Sequence, residues 1–96
     1  MLLLVGQLAG GDAVFAHAPL VDYIRSRAFD RPTLVLHRET VARQYRALKS
    51  GLGRAHIHYA VKANPAREVI ALLISEGSRF DAASRGEIEL CLALGA

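Results

Sequence analysis

The sequence predicts an α/β fold in which short buried strands alternate with helices in a parallel sheet. Three strand-like segments carry this prediction, at residues 33–37, 55–62 and 79–83. The first segment is a short apolar run, as expected of a strand covered on both faces. Each segment is followed by a stretch whose apolar residues recur every three or four positions, the spacing of one helix face. Repeated strand–helix units give parallel strands, because each helix returns the chain to the end of the sheet at which the previous strand began.

The spacing of the three strands predicts a barrel. They start at Thr33, His56 and Arg79, at intervals of 23 residues. A (β/α)8 barrel repeats this unit eight times over about 250 residues. The 96-residue chain is therefore expected to form the first three βα units of such a barrel and to be truncated there. The alternative is a complete small domain of three parallel strands, which would leave both sheet edges open.

Residues that start or stop helices set the expected boundaries. Residues 40–52 are predicted to be helical, with Gly51 and Gly53 ending the helix. Asn64 followed by Pro65 predicts the start of the next helix, because asparagine caps well and proline fits the first helical position. Gly77 is predicted to end that second helix.

The last helix and the N-terminal region differ in how strongly the sequence determines them. Ser84 and Glu87 have the spacing of a capping box, in which each side chain accepts a hydrogen bond from the backbone N–H near the other. Pro19 predicts a short helix over residues 19–28. Residues 1–18 are rich in glycine and alanine and show no clear periodicity, so their structure is left open.

Composition excludes several classes of protein. Apolar residues make up 52% of the chain and charged residues 22%, which is typical of a globular protein. The net charge of +3 comes from scattered basic residues, so no nucleic-acid partner is expected. No apolar run approaches the ~20 residues of a membrane span, and no membrane partner is expected. Cys91 is the single cysteine, which predicts a reducing, cytoplasmic location and a core position for that thiol.

Two charged residues stand where barrel enzymes place their catalytic groups. Lys62 lies at the carboxyl end of the second predicted strand, and Asp81 lies toward the end of the third. Because side chains alternate along a strand, His58, Ala60 and Lys62 are predicted to face the barrel interior. Tyr59 and Val61, and on the next strand Phe80 and Ala82, are then predicted to face the helices. The pattern also suggests that Lys62 and Asp81 form a charge pair.

A lysine in such a place can form a Schiff base with an aldehyde. The alternative is an ordinary solvated lysine at a strand–loop junction. His56 and His58 share a strand face, as two metal ligands would, but no third ligand follows at a recognisable spacing, so no metal is expected.

Two sequence blocks resemble one family. Tyr-Ala-Val-Lys-Ala-Asn-Pro at residues 59–65 is similar to the cofactor-lysine motif of decarboxylases of the ornithine and diaminopimelate type, which depend on pyridoxal 5′-phosphate (PLP). Phe-Asp-Ala-Ala-Ser-Arg-Gly-Glu-Ile-Glu-Leu-Cys-Leu-Ala-Leu-Gly at residues 80–95 resembles the next block of that family. The resemblance implies the alanine-racemase-like (β/α)8 TIM barrel of fold type III. Residues 1–31 would be an N-terminal extension with a short helix, and residues 32–96 the N-terminal part of the PLP-binding barrel domain.

The resemblance also implies site residues. Lys62 matches the catalytic lysine that holds PLP. Asp81 matches an acidic residue near it, although a buried acid paired for structural reasons is the alternative. Ala60 matches a small residue beside the cofactor. Glu87 matches a further cofactor-binding position, which its capping role also explains.

The implied function is PLP-dependent decarboxylation of ornithine or lysine to a diamine, in polyamine biosynthesis. The expected enzyme is a cytoplasmic homodimer with a small amino acid as substrate, and these 96 residues alone are expected to be inactive. Diaminopimelate decarboxylase and a non-catalytic PLP-binding or regulatory barrel protein remain alternatives. A remnant that acts only through protein contacts is a third.

Overall fold

The computed structural model describes residues 2–5 and 17–96, with side chains from Leu20 onward. The N-terminal elements are two strands, β1 and β2, and two helices, α1 and α2. The following part alternates strands β3 and β4 with helices α3 and α4, and a short 3-10 turn follows β3. In chain order the elements are β1 Leu2–Val5, α1 His17–Arg25, β2 Leu34–His37, α2 Arg38–Leu52, β3 His58–Ala60, the turn Val61–Ala63, α3 Arg67–Ser75, β4 Arg79–Asp81 and α4 Arg85–Ala93.

The chain divides into two compact units, Met1–Val41 and Ala42–Ala96. In the first unit β1 pairs with β2 in parallel, with Leu2 opposite Leu34. In the second unit β3 pairs with β4 in parallel, with His58 opposite Arg79. Strand–helix–strand connections between parallel strands confirm the predicted α/β class.

The described strands form two sheets of two strands each rather than the one sheet of three strands that the sequence predicts. Within residues 2–5 and 17–96 no barrel is visible. The prediction left β1 undetermined because a four-residue apolar run has no periodicity of its own. Its partner, β2, also lies about thirty residues further along the chain. Much of the remaining N-terminal region lies outside the described residues.

The strands β3 and β4 are shorter than predicted. The sequence predicts strands over residues 55–62 and 79–83, whereas the ladder runs only from His58↔Arg79 to Ala60↔Asp81. Three residues of β3 pair with three residues of β4. After Ala60 the chain leaves the strand and forms the 3-10 turn. Lys62 therefore follows the strand rather than ending it.

Three helix starts differ from the prediction. α2 begins at Arg38 rather than at residue 40. α1 begins two residues before Pro19, which still lies in the first turn, where its missing N–H costs no hydrogen bond. α3 begins at Arg67 rather than at Pro65. The side-chain oxygen of Asn64 accepts a hydrogen bond from the N–H of Ala66 at 3.1 Å, and this local turn delays the helix until Pro65 has been passed.

The predicted helix ends are confirmed at two glycines. Gly53 and Gly77 have φ angles of 59° and 82°, a left-handed backbone that residues with a β-carbon adopt only at a cost. They follow α2 and α3 as expected, whereas Gly51, the other glycine predicted to end α2, lies within that helix. One of the two hydrogen bonds of the predicted capping box is present before α4, because Ser84 Oγ accepts a hydrogen bond from the N–H of Glu87 at 3.3 Å.

The core of the second unit forms between its two strands and the helices α3 and α4. Val61 and Ile70 are fully buried, and Cys91 is 5% exposed beside them. Half-buried apolar side chains surround this cluster: Tyr59, Ile74, Phe80, Ala82, Leu90 and Leu94. The core position predicted for Cys91 is confirmed, and the thiol acts there as a small apolar group.

Parts of the predicted helix stripes are not buried. On α2 the buried residues are Ala42 and Tyr45, whereas Leu48 and Leu52 are about half exposed. On α4 only Cys91 is buried, and Leu92 is 65% exposed. Helical periodicity identifies the residues of an apolar face, but which part of that face is covered depends on the neighbouring elements.

An ion pair joins α2 to the residue that follows α3. Arg46 donates from Nε to Glu76 Oε2 at 2.8 Å and from Nη2 to Glu76 Oε1 at 2.5 Å. This two-bond geometry is the strong form of an arginine–carboxylate contact. Hydrogen bonding from Arg46 holds the pKa of Glu76 below its ordinary value of 4.5.

We expect the stability of the second unit to decrease in acid because of Glu76. Its pKa is lower in the folded chain than in the unfolded chain, so the carboxylate stabilises the fold above pH 4.5. That contribution is lost as the pH falls through the folded-state value. Urea unfolding midpoints should therefore drop on acidification, and Glu76→Gln should flatten this part of the profile. An unchanged profile in Glu76→Gln would contradict the assignment.

None of the helices in residues 17–96 has the length and hydropathy needed to cross a membrane.

Candidate functional site

Lys62 lies in the 3-10 turn at the carboxyl end of β3, and its side chain is exposed. The preceding residue, Val61, is completely buried and fixes the turn to the core. Among residues 17–96, no hydrogen bond or ion pair engages the Lys62 amine. The sequence predicts Lys62 at the carboxyl end of the strand, whereas it lies in the turn directly after that strand and is exposed rather than buried in a pocket. Its role in holding a cofactor stays a prediction.

The two faces of the β3–β4 sheet divide as the alternation predicts. Tyr59 and Phe80 lie opposite each other and pack on the helix side, with ring centroids 6.4 Å apart and planes at 82°. Val61 and Ala82 continue that apolar face. The opposite face is accessible, and its members are His58, Arg79 and Asp81. His58 and Asp81 therefore lie on the face that the sequence predicts to be opposite the helices.

Asp81 ends β4 directly opposite Ala60, two residues before Lys62. The register therefore brings the strand end that carries Asp81 beside the turn that carries Lys62. The predicted charge pair between these two side chains is absent, because no ion pair of 4 Å or less in residues 17–96 joins them. Both side chains are exposed, and solvent weakens the attraction between exposed charges.

Ala60 and Glu87 are the other two predicted site residues. Ala60 is half-buried in β3, opposite Asp81 of β4. Its side chain is a single methyl group, so it covers little of the accessible face of the β3–β4 sheet. Glu87 Oε2 accepts a hydrogen bond from the N–H of Ala83 at 2.6 Å, one residue earlier than the capping box predicts. This bond gives Glu87 a structural role at the start of α4. Its contact with a cofactor stays a prediction.

The structure reveals one contact that the sequence analysis did not predict. Tyr59 Oη donates a hydrogen bond to the carbonyl oxygen of Asn64 at 3.3 Å, across the turn that carries Lys62. Tyr59 was assigned only to the apolar face. The phenol hydroxyl of Tyr59 on an apolar face is the sequence feature that indicates such a hydrogen bond, because a partly buried phenol usually finds a partner.

In residues 17–96 no three histidine, cysteine or acidic side chains come together in a way that could hold a metal ion. His58 is exposed on the strand and His56 precedes it in the loop.

Residues 38–96 match the family described as pyridoxal-dependent decarboxylase, pyridoxal binding domain. The chain belongs to this family. The match includes Lys62, Asp81 and all elements of the second unit. It confirms the resemblance found in the sequence and the expectation of PLP as the cofactor of this domain.

Curated relatives agree with the family assignment. The chain is similar to a lysine/ornithine decarboxylase of Selenomonas ruminantium, with 44% identity over 64 residues, which are 67% of the chain and 16% of that protein. It is 40% identical over 84 residues to a diaminopimelate decarboxylase of Pseudomonas aeruginosa, covering 85% of the chain and 20% of the relative. A chloroplastic ornithine decarboxylase of Nicotiana glutinosa is 51% identical over 47 residues, which are 49% of the chain and 11% of that protein.

The chain therefore spans one fifth or less of the length of these three relatives. No solved structure matches it significantly.

The residues present fit a PLP cofactor at the attachment point. Lys62 offers an accessible amine that no carboxylate in residues 17–96 engages. Asp81 and Ala60 stand next to it on the open face of the ladder. Lys62 would hold the cofactor, and the remaining groups that a phosphate or a ring requires are not among the side chains of this ladder.

Proposed function

We propose that this chain supplies the cofactor lysine of a PLP-dependent carboxy-lyase whose substrate is a basic amino acid, ornithine or lysine. The product would be a diamine, as in polyamine biosynthesis. One observation carries the proposal: in a pyridoxal-binding domain, Lys62 is an accessible amine at the carboxyl end of a parallel strand, beside Asp81 on the next strand.

The bound cofactor supplies an electron-accepting ring that takes up the charge left at the α-carbon when the carboxylate departs. Lys62 would bind it through Nζ, give up that bond to the incoming amino acid and recover it afterwards. Asp81 would contribute negative charge on the same face, which favours a positively charged amino group nearby. The rest of the pocket, a homodimeric assembly and a cytoplasmic location are proposed from the family resemblance.

Decarboxylation of diaminopimelate is the second candidate. The similarity to the Pseudomonas aeruginosa diaminopimelate decarboxylase extends over 85% of the chain, more than the 67% covered by the lysine/ornithine decarboxylase. Identity over the covered residues favours the lysine/ornithine type, at 44% against 40%. Carbon dioxide release from ornithine, lysine and diaminopimelate, measured on a protein that carries this chain, decides between the two.

Trapping the cofactor on the chain tests the role of Lys62. The chain has two lysines, Lys49 and Lys62, so Lys49 serves as an internal reference. A protein that carries this chain is mixed with PLP, reduced with borohydride, digested and mapped by mass. We expect the adduct at Lys62 in clear excess over Lys49, whose amine lies over the ring of Tyr45, 6.0 Å from its centroid. Equal labelling of the two lysines would contradict the proposal.

A further inference from the structure

A hydrogen bond closes the segment of chain that carries Lys62. Tyr59 Oη donates to the Asn64 carbonyl oxygen at 3.3 Å, between residues five positions apart in the chain. The turn Val61–Ala63 lies between them. Tyr59 precedes Lys62 by three residues and Asn64 follows it by two. The bond therefore fixes the distance between the two ends of the turn.

Further contacts hold both residues of this hydrogen bond, Tyr59 and Asn64, in place. The Tyr59 ring packs edge-on against Phe80 and contacts the buried cluster around Val61. Burial raises the pKa of Tyr59 above its ordinary 10.0, so the hydroxyl remains a donor at neutral pH. Asn64 accepts a hydrogen bond at its side-chain oxygen from the N–H of Ala66, the residue before α3. We call this connection of Tyr59, Asn64 and Ala66 the tyrosine brace.

The brace fixes the backbone on either side of Lys62 and leaves the side chain available. Val61 anchors the turn from the core side, and the brace joins the end of β3 to the start of α3. The Lys62 amine itself is not engaged by any residue in the described range 17–96. A reactive group on a backbone that is ordered in advance reacts faster, because less freedom is lost when the bond forms.

We propose that Tyr59 and Asn64 are positioning residues, which hold the turn so that the Lys62 amine meets the cofactor aldehyde in one fixed orientation. The inference rests on the proposed function of Lys62. It adds two residues whose effect is exerted through the backbone of the turn. The phenol of Tyr59 packs on the helix side of the sheet, so the inference assigns it no contact with the cofactor.

The test is Tyr59→Phe, which removes the hydroxyl and keeps the ring that packs against Phe80. Tyr23→Phe is the matched control, because it removes a tyrosine hydroxyl in the other unit. Two quantities are measured on the chain: amide hydrogen exchange over residues 61–66, and the ratio of PLP adduct on Lys62 to that on Lys49. We expect exchange to accelerate and the ratio to fall by about three- to tenfold in Tyr59→Phe, the range for one lost hydrogen bond. Neither should change in Tyr23→Phe.

The outcomes separate the inference from the function on which it rests. An unchanged ratio in Tyr59→Phe, with Lys62 still preferred, overturns the positioning role and leaves the function of Lys62 standing. Equal labelling of Lys49 and Lys62 in the unaltered chain overturns the proposed function, and the positioning role with it. If circular dichroism shows that Tyr59→Phe has lost structure, Asn64→Ala replaces it. That variant breaks only the bond to Ala66 and should lower the ratio in the same direction, while an unchanged ratio overturns the inference.

Discussion

Lys62→Ala is expected to abolish covalent attachment of PLP at this site, whereas Lys49→Ala is expected to leave it intact. The two variants remove the same chemical group from the two lysines of the chain. They differ in place, because Lys62 stands at the end of β3 and Lys49 in α2, near the ring of Tyr45. Borohydride trapping with peptide mapping measures the effect directly. A loss of total PLP labelling in Lys49→Ala as large as that in Lys62→Ala would contradict the proposal.

In a protein with decarboxylase activity the same substitution should reduce turnover by at least about a hundred- to ten-thousandfold, the range for loss of one positioned catalytic group, because alanine cannot form the bond to the cofactor. Lys62→Arg distinguishes charge from chemistry. Arginine keeps the positive charge beside Asp81 but remains protonated and cannot form the bond. Activity in Lys62→Arg close to that of the unaltered protein would show that only the charge matters, and the assignment of Lys62 would then fail.

The sequence predicts the face of each site residue better than the bounds of its element. Strand alternation predicts that Tyr59 and Val61 face the helices and that His58 and Asp81 lie on the opposite face, toward the barrel interior. Burial agrees with the first assignment, and the opposite face is exposed in the described residues. Alternation needs only a few extended residues to act. The end of β3 depends on how many residues β4 offers for pairing, which is a property of the pair and not of either strand.

The sequence pattern does not predict interactions between residues of different helices and strands. The bond from Arg46 to Glu76 joins residues 30 positions apart, and no local spacing marks it. The pairing of β1 with β2 is equally distant. The capping box was predictable because both of its hydrogen bonds lie within a few residues of Ser84. Even there, Glu87 reached Ala83 rather than Ser84, since the side chain selects whichever N–H the local geometry presents.

Ile70→Ala should produce the largest loss of stability among the apolar truncations. Ile70 is fully buried and packs with Val61 and Cys91. Truncating a buried isoleucine to alanine removes its transfer free energy and leaves a cavity, at a cost of about 2–5 kcal/mol. That is a large fraction of the 5–15 kcal/mol that typically stabilises a domain. Urea unfolding followed by circular dichroism measures the change.

Ile88→Ala is the matched control, because it removes the same atoms from a side chain that is 48% exposed on α4. We expect it to change the free energy of unfolding by about 0.5 kcal/mol or less, as exposed substitutions usually do. Ile70 also contacts the residue next to Lys62, so its loss should loosen the turn as well as the core. The preference of PLP for Lys62 over Lys49 should then decline in Ile70→Ala under conditions where most molecules are still folded. An equal loss of stability in the two variants would show that the cluster of Val61, Ile70 and Cys91 is not the core on which the lysine turn depends.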